Sequence, residues 1–268
     1  MAANVATAAK YDQIIERVFH NHYDGNVTEF HFGREELAQA AGDLELPVPK
    51  NLGDIINHFR FRADMPERIQ ETISSDKFWI IRLAGRSRYQ FASSPLSFLV
   101  PTPGLSVTKV PDSTPGIVAK YRLSDEQALL AKLRYNRLVD IYSGVTCYSL
   151  QNHLRTTVKE LGQIETDEVY IGVYRRGAHY AFPVQAKGGS DKLSVVQIEQ
   201  DFKLCAEKFP ALICRPFAAQ FMADDLIALF EFEMDETGIV LSSEKHYRLV
   251  SPDAVTAAEL ESYRARPY

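Results

Sequence analysis

Three side chains whose types and spacing suit phosphate chemistry lie in one short stretch of the sequence. Asp167 falls within the run Ile164-Glu-Thr-Asp-Glu-Val-Tyr-Ile-Gly-Val, and Gln185 and Lys187 follow it eighteen and twenty residues later. Residues two apart on a strand point to the same face. A carboxylate and an amide oxygen can together hold a hard cation such as Mg²⁺. The stretch therefore predicts metal-dependent phosphodiester hydrolysis, in which the cation acidifies water and the lysine orients or deprotonates the nucleophile.

Two strands and a helix are the elements that must position these side chains. The apolar pattern predicts strands over 169–173 and 180–184, joined by the turn Arg175-Arg176-Gly177. A helix over 195–209 follows the second strand and carries Gln197 near its start. If the strands pair, Asp167 and Lys187 meet at one end of a sheet.

The rest of this half of the chain alternates between helical and strand patterns. A helix is predicted to begin with Ser124 as its N-cap and to continue through Val139, and a second over 149–161 to end before Gly162. Further strands are predicted over 213–221, 227–234 and 239–241. This half is therefore expected to be α/β.

Asp167 followed by Gln185-Ala186-Lys187 on a hairpin resembles the catalytic pattern of the PD-(D/E)xK nuclease superfamily, in the QxK variant of Mrr-like restriction endonucleases. The helix that begins Val195-Val-Gln is similar to the helix that follows the xK strand in that family. The resemblance covers residues 121–221. It implies a restriction-endonuclease-like mixed sheet flanked by helices.

The resemblance also implies roles for individual residues. Asp167 and Gln185 would hold Mg²⁺, for which Mn²⁺ can substitute, and Lys187 would lie at the nucleophilic water. Glu165 matches an additional acidic position, and Gln197 matches a glutamine that the following helix presents to the site. The sequence departs from the family pattern at Gln185, which stands where a second acid is usual, and in having no proline before Asp167.

Neighbouring polar residues leave alternatives open. Glu168 competes with Asp167 as the metal ligand, and we favour Asp167 because it shares a strand face with Glu165. Asn152, His153 and Arg155 fall on the helix predicted over 149–161; they could touch DNA or bracket a metal, although a lone histidine on a helix is more often a surface or packed residue.

The first 114 residues follow another pattern. Residues 93–114 contain four prolines, one glycine and five serines, which favours a linker or an extended crossing segment. We therefore divide the chain into 1–114 and 115–268. Helices are predicted over 11–22, 34–41, 51–61 and 66–73, followed by strands over 78–83 and 89–92. This is the order of a winged helix-turn-helix, so a smaller winged-helix-like α+β domain is expected to precede the nuclease domain.

Positive charge is concentrated in this first part of the chain. Residues 50–91 carry eight basic and five acidic side chains, whereas residues 1–47 carry three basic and eight acidic ones. A recognition helix reads base edges and a wing contacts the DNA backbone or minor groove. The predicted DNA contacts are Asn57, His58, Arg60, Arg62, Arg82, Arg86, Arg88, Arg175 and Arg176. A small domain whose arginines only keep it soluble, or one that forms the dimer, is the alternative.

The composition limits the class of protein. The chain has 268 residues, 46% hydrophobic and 24% charged, which is typical of globular proteins. Its three cysteines show no CxxC spacing, which argues against a disulfide framework and a zinc site. The net charge of −5 excludes a protein that is basic throughout. The sequence has no 18-residue apolar run, no signal peptide pattern and no P-loop, GxSxG or HExxH motif. We expect a cytoplasmic protein without a membrane partner.

Together these features predict a Mg²⁺-dependent, sequence-specific endodeoxyribonuclease of the type II restriction kind. Its partners would be double-stranded DNA, a second copy of the chain, and a companion DNA methyltransferase acting on the same site. Dependence on base modification stays open. The alternatives are a non-cleaving DNA-binding protein with a nuclease fold and a structure-selective repair nuclease.

Overall fold

A computed structural model describes residues 2–121, 126–189, 191–223, 225–236 and 238–266. The protein is mixed α/β, with a large mixed sheet flanked by helices and a separate three-stranded sheet. No helix within the described ranges is long and apolar enough to cross a membrane. Ser124, the predicted N-cap, lies outside the described residues.

The N-terminal unit is built from four helices and three strands. In chain order these are α1 (Ala2–His22), β1 (Glu29–Gly33), α2 (Arg34–Asp43), α3 (Gly53–Phe61), α4 (Glu67–Gln70), β2 (Phe78–Leu83) and β3 (Arg88–Ser94). The strands pair antiparallel in the order β1-β3-β2. The four predicted helices and the hairpin are confirmed. Strand β1 was not predicted, because its run Glu-Phe-His-Phe-Gly is too short to give a clear alternating pattern.

An aromatic core holds this unit together. Phe19 of α1 is fully buried, and its ring centroid lies 5.0–5.3 Å from those of Tyr23, Phe30, Trp79 and Phe91. Such close aromatic contacts add to the free energy gained from burying the apolar surface. They fix α1 across the three-stranded sheet.

The remaining elements form the large sheet and its helices. In chain order these are β4 (Phe98–Leu99), β5 (Val107–Pro111), α5 (Gly116–Tyr121), α6 (Glu126–Tyr135), α7 (Leu138–Ser143), β6 (Thr146–Val158), β7 (Gly162–Val173), β8 (His179–Lys187), β9 (Leu193–Ser194), α8 (Val195–Lys208), β10 (Ile213–Cys214), β11 (Phe217–Phe221), β12 (Leu226–Asp235), β13 (Gly238–Val250), a 3₁₀ turn (Pro252–Ala254) and α9 (Ala257–Arg264).

The large sheet has the order β5-β13-β12-β11-β8-β7-β6, with β10 also paired to β8. The pairs β8–β11, β8–β10 and β5–β13 are parallel and the others are antiparallel. Buried residues of α6 and α7, such as Leu133 and Leu138, pack with Phe182 and Phe217 in one cluster. Residues of α8 pack with Phe230 in another. The sheet is thus covered on both faces where β8 and β11 lie.

The helix predicted over 149–161 is wrong. These residues belong to β6 and its turn, and β6 pairs with β7 from Thr146–Val173 to Val158–Gly162. A tight connection with positive φ at Glu160 (69°) and Gly162 (88°) turns the chain back on itself. The β-branched run Thr156-Thr157-Val158 favours this extended conformation.

Several contacts join the N-terminal unit to the large sheet. Residues 93–114 contribute to this junction, because β4 pairs with β9 and β5 forms an edge of the large sheet. Arg82 of β2 donates from Nε and Nη2 to the two carboxylate oxygens of Glu199 on α8, at 2.8 and 2.5 Å. The Lys192 ammonium contacts Asp64 at 2.5 Å. These bonds link β2 and the segment after α3 to α8 and to the connection between β8 and β9. The boundary at residue 115 stays a prediction.

Candidate active site

A cleft opens where β7 and β8 separate. Their ladder runs from Val173–His179 to Glu168–Val184. Beyond this last pair the two strands separate: β7 stays paired with β6, and β8 stays paired with β11. The cleft has a volume of about 810 Å³. Its lining includes Glu165, Asp167, Gln185, Lys187 and Gln197, so all five predicted catalytic residues face one space. The end of α3 forms the opposite wall.

Two carboxylates and an imidazole cluster on the sheet side of this cleft. Among the described residues, His153, Glu165 and Asp167 each offer a ligand atom, and these atoms lie within 4.8 Å of one another. His153 Nε2 lies 3.1 Å from Glu165 Oε1, and Arg155 Nε donates to Glu165 Oε2 at 2.8 Å. His153 and Arg155 reach this cluster because they lie on β6, the strand beside β7, and not on a helix.

Asp167 lies in an environment that disfavours its negative charge. Burial raises the pKa of its carboxyl group, and the charges of Glu126 and Glu165 act in the same direction. A hydrogen bond from the Ala186 amide to Asp167 Oδ2, at 2.8 Å, and the Lys187 charge oppose this rise. A bound cation would favour the ionised carboxylate.

Lys187 is held by an ion pair across the cleft. Its Nζ donates to Glu126 Oε1 at 2.9 Å, and its side chain is only 15% exposed. Glu126 lies in the first turn of α6, where a carboxylate also interacts favourably with the helix dipole. The sequence pattern indicates only a helix start near Glu126, and this contact was not predicted because 61 residues separate Glu126 from Lys187.

A chain of hydrogen bonds lies behind Gln185. Thr166 Oγ1 donates to Asp201 Oδ1 at 2.5 Å, and Gln185 Nε2 donates to Asp201 Oδ2 at 2.9 Å. Gln197 Nε2 in turn donates to Gln185 Oε1 at 2.9 Å. The oxygen expected to bind Mg²⁺ therefore already accepts a hydrogen bond, and the role of Gln185 as a metal ligand stays a prediction.

Asp201 is a buried acid that the sequence analysis missed. It lies on α8 four residues after Gln197, and burial raises the pKa of its carboxyl group to about 7. The hydrogen bonds from Thr166 and Gln185 oppose this rise. An acid on the buried stripe of an amphipathic helix is the signal that could have identified it.

The two adjacent acids of β7 have different surroundings. Glu168 is fully buried, and Arg134 donates to its two oxygens from Nε at 3.0 Å and from Nη2 at 3.1 Å. Ser149 Oγ also donates to Glu168, at 2.5 Å. Asp167 lines the cleft and Glu168 does not. This geometry supports Asp167 as the acid available to a ligand, and it gives Glu168 a structural role.

The four predicted DNA contacts on and after α3 separate into two groups. Asn57, Arg60 and Arg62 line the cleft opposite the carboxylates. His58 instead packs against the rings of Tyr11 and Phe59, with centroids 5.6 and 5.0 Å apart, and burial lowers the pKa of its imidazole. It is therefore poorly placed to contact a ligand in the cleft.

The predicted contacts on the two hairpins do not line the cleft. Arg82 is committed to Glu199. Arg86 and Arg88 are exposed at the β2–β3 turn, and Arg175 and Arg176 are exposed at the β7–β8 turn. That second turn lies at the far end of β8 from Lys187, roughly 25 Å away at about 3.3 Å per residue.

The site is therefore a polar cleft with a cluster of potential metal ligands, an ion-paired lysine and an arginine-bearing wall. Comparisons of this chain with protein-family models, curated proteins and solved structures found no match.

Proposed function

We propose that the protein is a divalent-metal-dependent endodeoxyribonuclease of the PD-(D/E)xK type that cuts double-stranded DNA at specific sequences. The observation that carries this proposal is the meeting of Glu165, Asp167 and Lys187 in one cleft, at the end of the β7–β8 ladder. Paired carboxylates beside a lysine are the groups that metal-assisted phosphodiester hydrolysis needs.

The residues of the cleft fit a hard divalent cation. Asp167 and Glu165 would hold it through carboxylate oxygens, the ligands that Mg²⁺ and Mn²⁺ prefer. When bound, the cation supplies charge that stabilises the anionic transition state and makes a nearby water more acidic. Asp167 is kept in place by the Ala186 amide.

Lys187 supplies the other part of the proposed mechanism. Its ammonium donates to Glu126, and both side chains line the cleft. It would orient the attacking water by a hydrogen bond, while Glu126 keeps the long side chain from turning into solvent. The chain of hydrogen bonds from Asp201 through Gln185 to Gln197 holds the lining of the cleft next to Lys187 in place.

The N-terminal unit would bind the DNA. Its element order and its β1-β3-β2 sheet support the winged-helix hypothesis. In that arrangement α3 is the reading helix, and its end already lies at the cleft. Cleavage of both strands favours a two-fold dimer, and a methyltransferase acting on the same sequence would protect the host DNA.

The test is incubation of the full chain with unmodified and with cytosine-methylated plasmid, in Mg²⁺ and in EDTA. Discrete fragments that need Mg²⁺ are expected, and the plasmid that yields them shows whether modification is required. Intact plasmid in every lane would contradict the proposal. A preference for branched or damaged DNA over any base sequence would indicate a repair nuclease.

One observation favours a second candidate, a DNA-binding protein that does not cut. Gln185 stands where an acid is expected, and both ends of its amide are hydrogen-bonded within the protein. Calorimetric titration of Mg²⁺ or Mn²⁺ into the protein–DNA complex separates the two candidates. A nuclease site takes up the cation, whereas a non-cleaving binder gives no heat above dilution.

A further inference from the structure

Arg60 is a buried cation on the wall of the cleft opposite the carboxylates. The residue is only 4% exposed. Among the described residues, its Nε and Nη2 atoms have no hydrogen-bond partner. Burial lowers the pKa of the guanidinium to about 10, so it keeps its charge at neutral pH. Buried charges in proteins are normally paired, and an unpaired guanidinium therefore indicates a partner that the chain alone does not supply.

The carboxylate that acts on Arg60 is already committed to another arginine. Tyr89 and, more weakly, Glu199 oppose the fall in the Arg60 pKa, but Arg82 donates two hydrogen bonds to Glu199. Arg82 occupies both oxygens of Glu199, so the positive charge of Arg60 is left in excess of its hydrogen-bonded partners. The ring of Phe61 is also close, with its centroid 4.5 Å from the Arg60 guanidinium carbon. The ring stabilises the charge and holds the guanidinium plane, but it does not neutralise it.

The position of Arg60 relates this excess charge to the carboxylate cluster. Arg60 and Arg62 line the same cleft as Asp167 and Lys187. The cleft thus combines groups that suit an anion with groups that suit a cation. If the reacting phosphate of a DNA strand lies beside the carboxylates, a neighbouring phosphate of the same strand would lie at Arg60.

We infer that Arg60 anchors a phosphate group of the substrate next to the one that is hydrolysed. This inference rests on the proposed function, and it assigns Arg60 to the DNA backbone and not to the bases. A guanidinium presents paired N–H donors that match two phosphate oxygens. Because the anchor lies in the N-terminal unit and the carboxylates lie on the large sheet, the phosphate would link the two parts.

The experiment compares the wild-type chain with Arg60→Met and Arg60→Lys in EDTA. Methionine keeps much of the buried stem without the charge, and lysine keeps the charge without the paired donors. Arg68→Met is the matched control, since the Arg68 side chain is 80% exposed and lies outside the cleft lining. Melting temperature is measured with and without inorganic phosphate, and the Kd for a short duplex is measured across a series of salt concentrations.

The expected result has three parts. Inorganic phosphate raises the melting temperature of the wild type and of Arg68→Met, but not that of Arg60→Met. Without phosphate, Arg60→Met melts at the same or a higher temperature than the wild type, because an unpaired buried charge is removed. Its Kd for the duplex rises roughly tenfold or more, and the slope of log Kd against log salt falls by about 0.9. Arg60→Lys retains part of the phosphate effect.

Two results would overturn the inference. One is a wild type that phosphate does not stabilise, which decides the question even if Arg60→Met fails to fold. The other is an Arg60→Met protein that melts several degrees lower while it keeps the phosphate effect or the duplex affinity, since this would give Arg60 a structural role. If the wild type binds phosphate through Arg60 but neither binds nor cuts DNA, the proposed nuclease function and the backbone assignment both fail, and only a site for free phosphate remains.

Discussion

The substitution Asp201→Asn tests the hydrogen-bond chain behind the cleft. The new amide cannot ionise, and its N–H group can donate to Gln185 Oε1 if the Gln185 amide turns over. If the Gln197 amide turns over as well, Gln185 Nε2 can then donate to Gln197 Oε1, in place of the present bond from Gln197 Nε2 to Gln185 Oε1. The variant should therefore keep a complete chain of hydrogen bonds and remove a buried acid.

The expected effect depends on pH, and its sign follows from the pKa of Asp201. Burial raises that pKa from its ordinary value of 3.8 to about 7. Between these values the unfolded chain has lost the proton and the folded protein retains it, so the free energy of unfolding falls as the pH rises. At about 1.36 kcal/mol for each pH unit, the fall amounts to about 4 kcal/mol between pH 4 and pH 8. The unfolding free energy of Asp201→Asn does not show this fall, because the amide does not ionise.

The assay is guanidinium chloride unfolding of both proteins at pH 4, 6 and 8 in EDTA. We expect the difference in unfolding free energy, variant minus wild type, to increase by about 4 kcal/mol across this range. Asp253→Asn, at an exposed position, is the control and should show little change with pH. A difference that stays constant with pH, or that decreases as the pH rises, would refute the assignment of a raised pKa to Asp201.

Three further predictions concern the cleft and the junction between the two parts of the chain. Asp167→Asn should weaken Mn²⁺ binding at least tenfold in calorimetry with little loss of stability, because burial already favours its neutral form. Glu168→Gln should leave Mn²⁺ binding unchanged and lower the unfolding free energy by about 1–3 kcal/mol, because Arg134, whose side chain is 34% exposed, loses a charged hydrogen-bond acceptor. An unchanged metal affinity in the first variant would remove Asp167 from the site. Glu126→Gln should slow single-turnover DNA cleavage roughly ten- to hundredfold, because Lys187 loses its ion-pair partner. The affinity of this variant for the duplex in EDTA should be unchanged. A wild-type cleavage rate would show that the ion pair does not position the lysine. Arg82→Met should lower the unfolding free energy by about 1–3 kcal/mol in denaturant titration, and equal stability would show that the ion pair does not join the two parts.

The local part of the site could be predicted from the sequence. Asp167, Gln185 and Lys187 lie on neighbouring strands joined by a short turn, so an alternating apolar pattern and two turn residues suffice to bring them together. Gln197 follows on the next helix, and its contact with Gln185 spans only twelve residues. Contacts of this kind depend on the geometry of one supersecondary unit.

The other members of the site depend on how distant elements pack. Glu126 reaches Lys187 only because α6 lies against the end of β8, and no local pattern encodes that distance. His153 joins the carboxylates only because residues 149–158 form a strand beside β7, whereas a helix was predicted there. Arg60 was predicted as a DNA contact on α3, but its side chain is buried among distant elements, only 4% exposed.

The measurement that tests the central claim most directly is the single-turnover rate of duplex cleavage by the wild type and by Lys187→Ala in saturating Mg²⁺, with the duplex Kd of both proteins measured in EDTA. We predict that the Lys187→Ala rate falls by at least roughly a hundredfold while its Kd stays within a few fold of the wild-type value. Equal rates for the two proteins, or wild-type cleavage that continues in EDTA, would contradict the account of this cleft as a metal-dependent nuclease site.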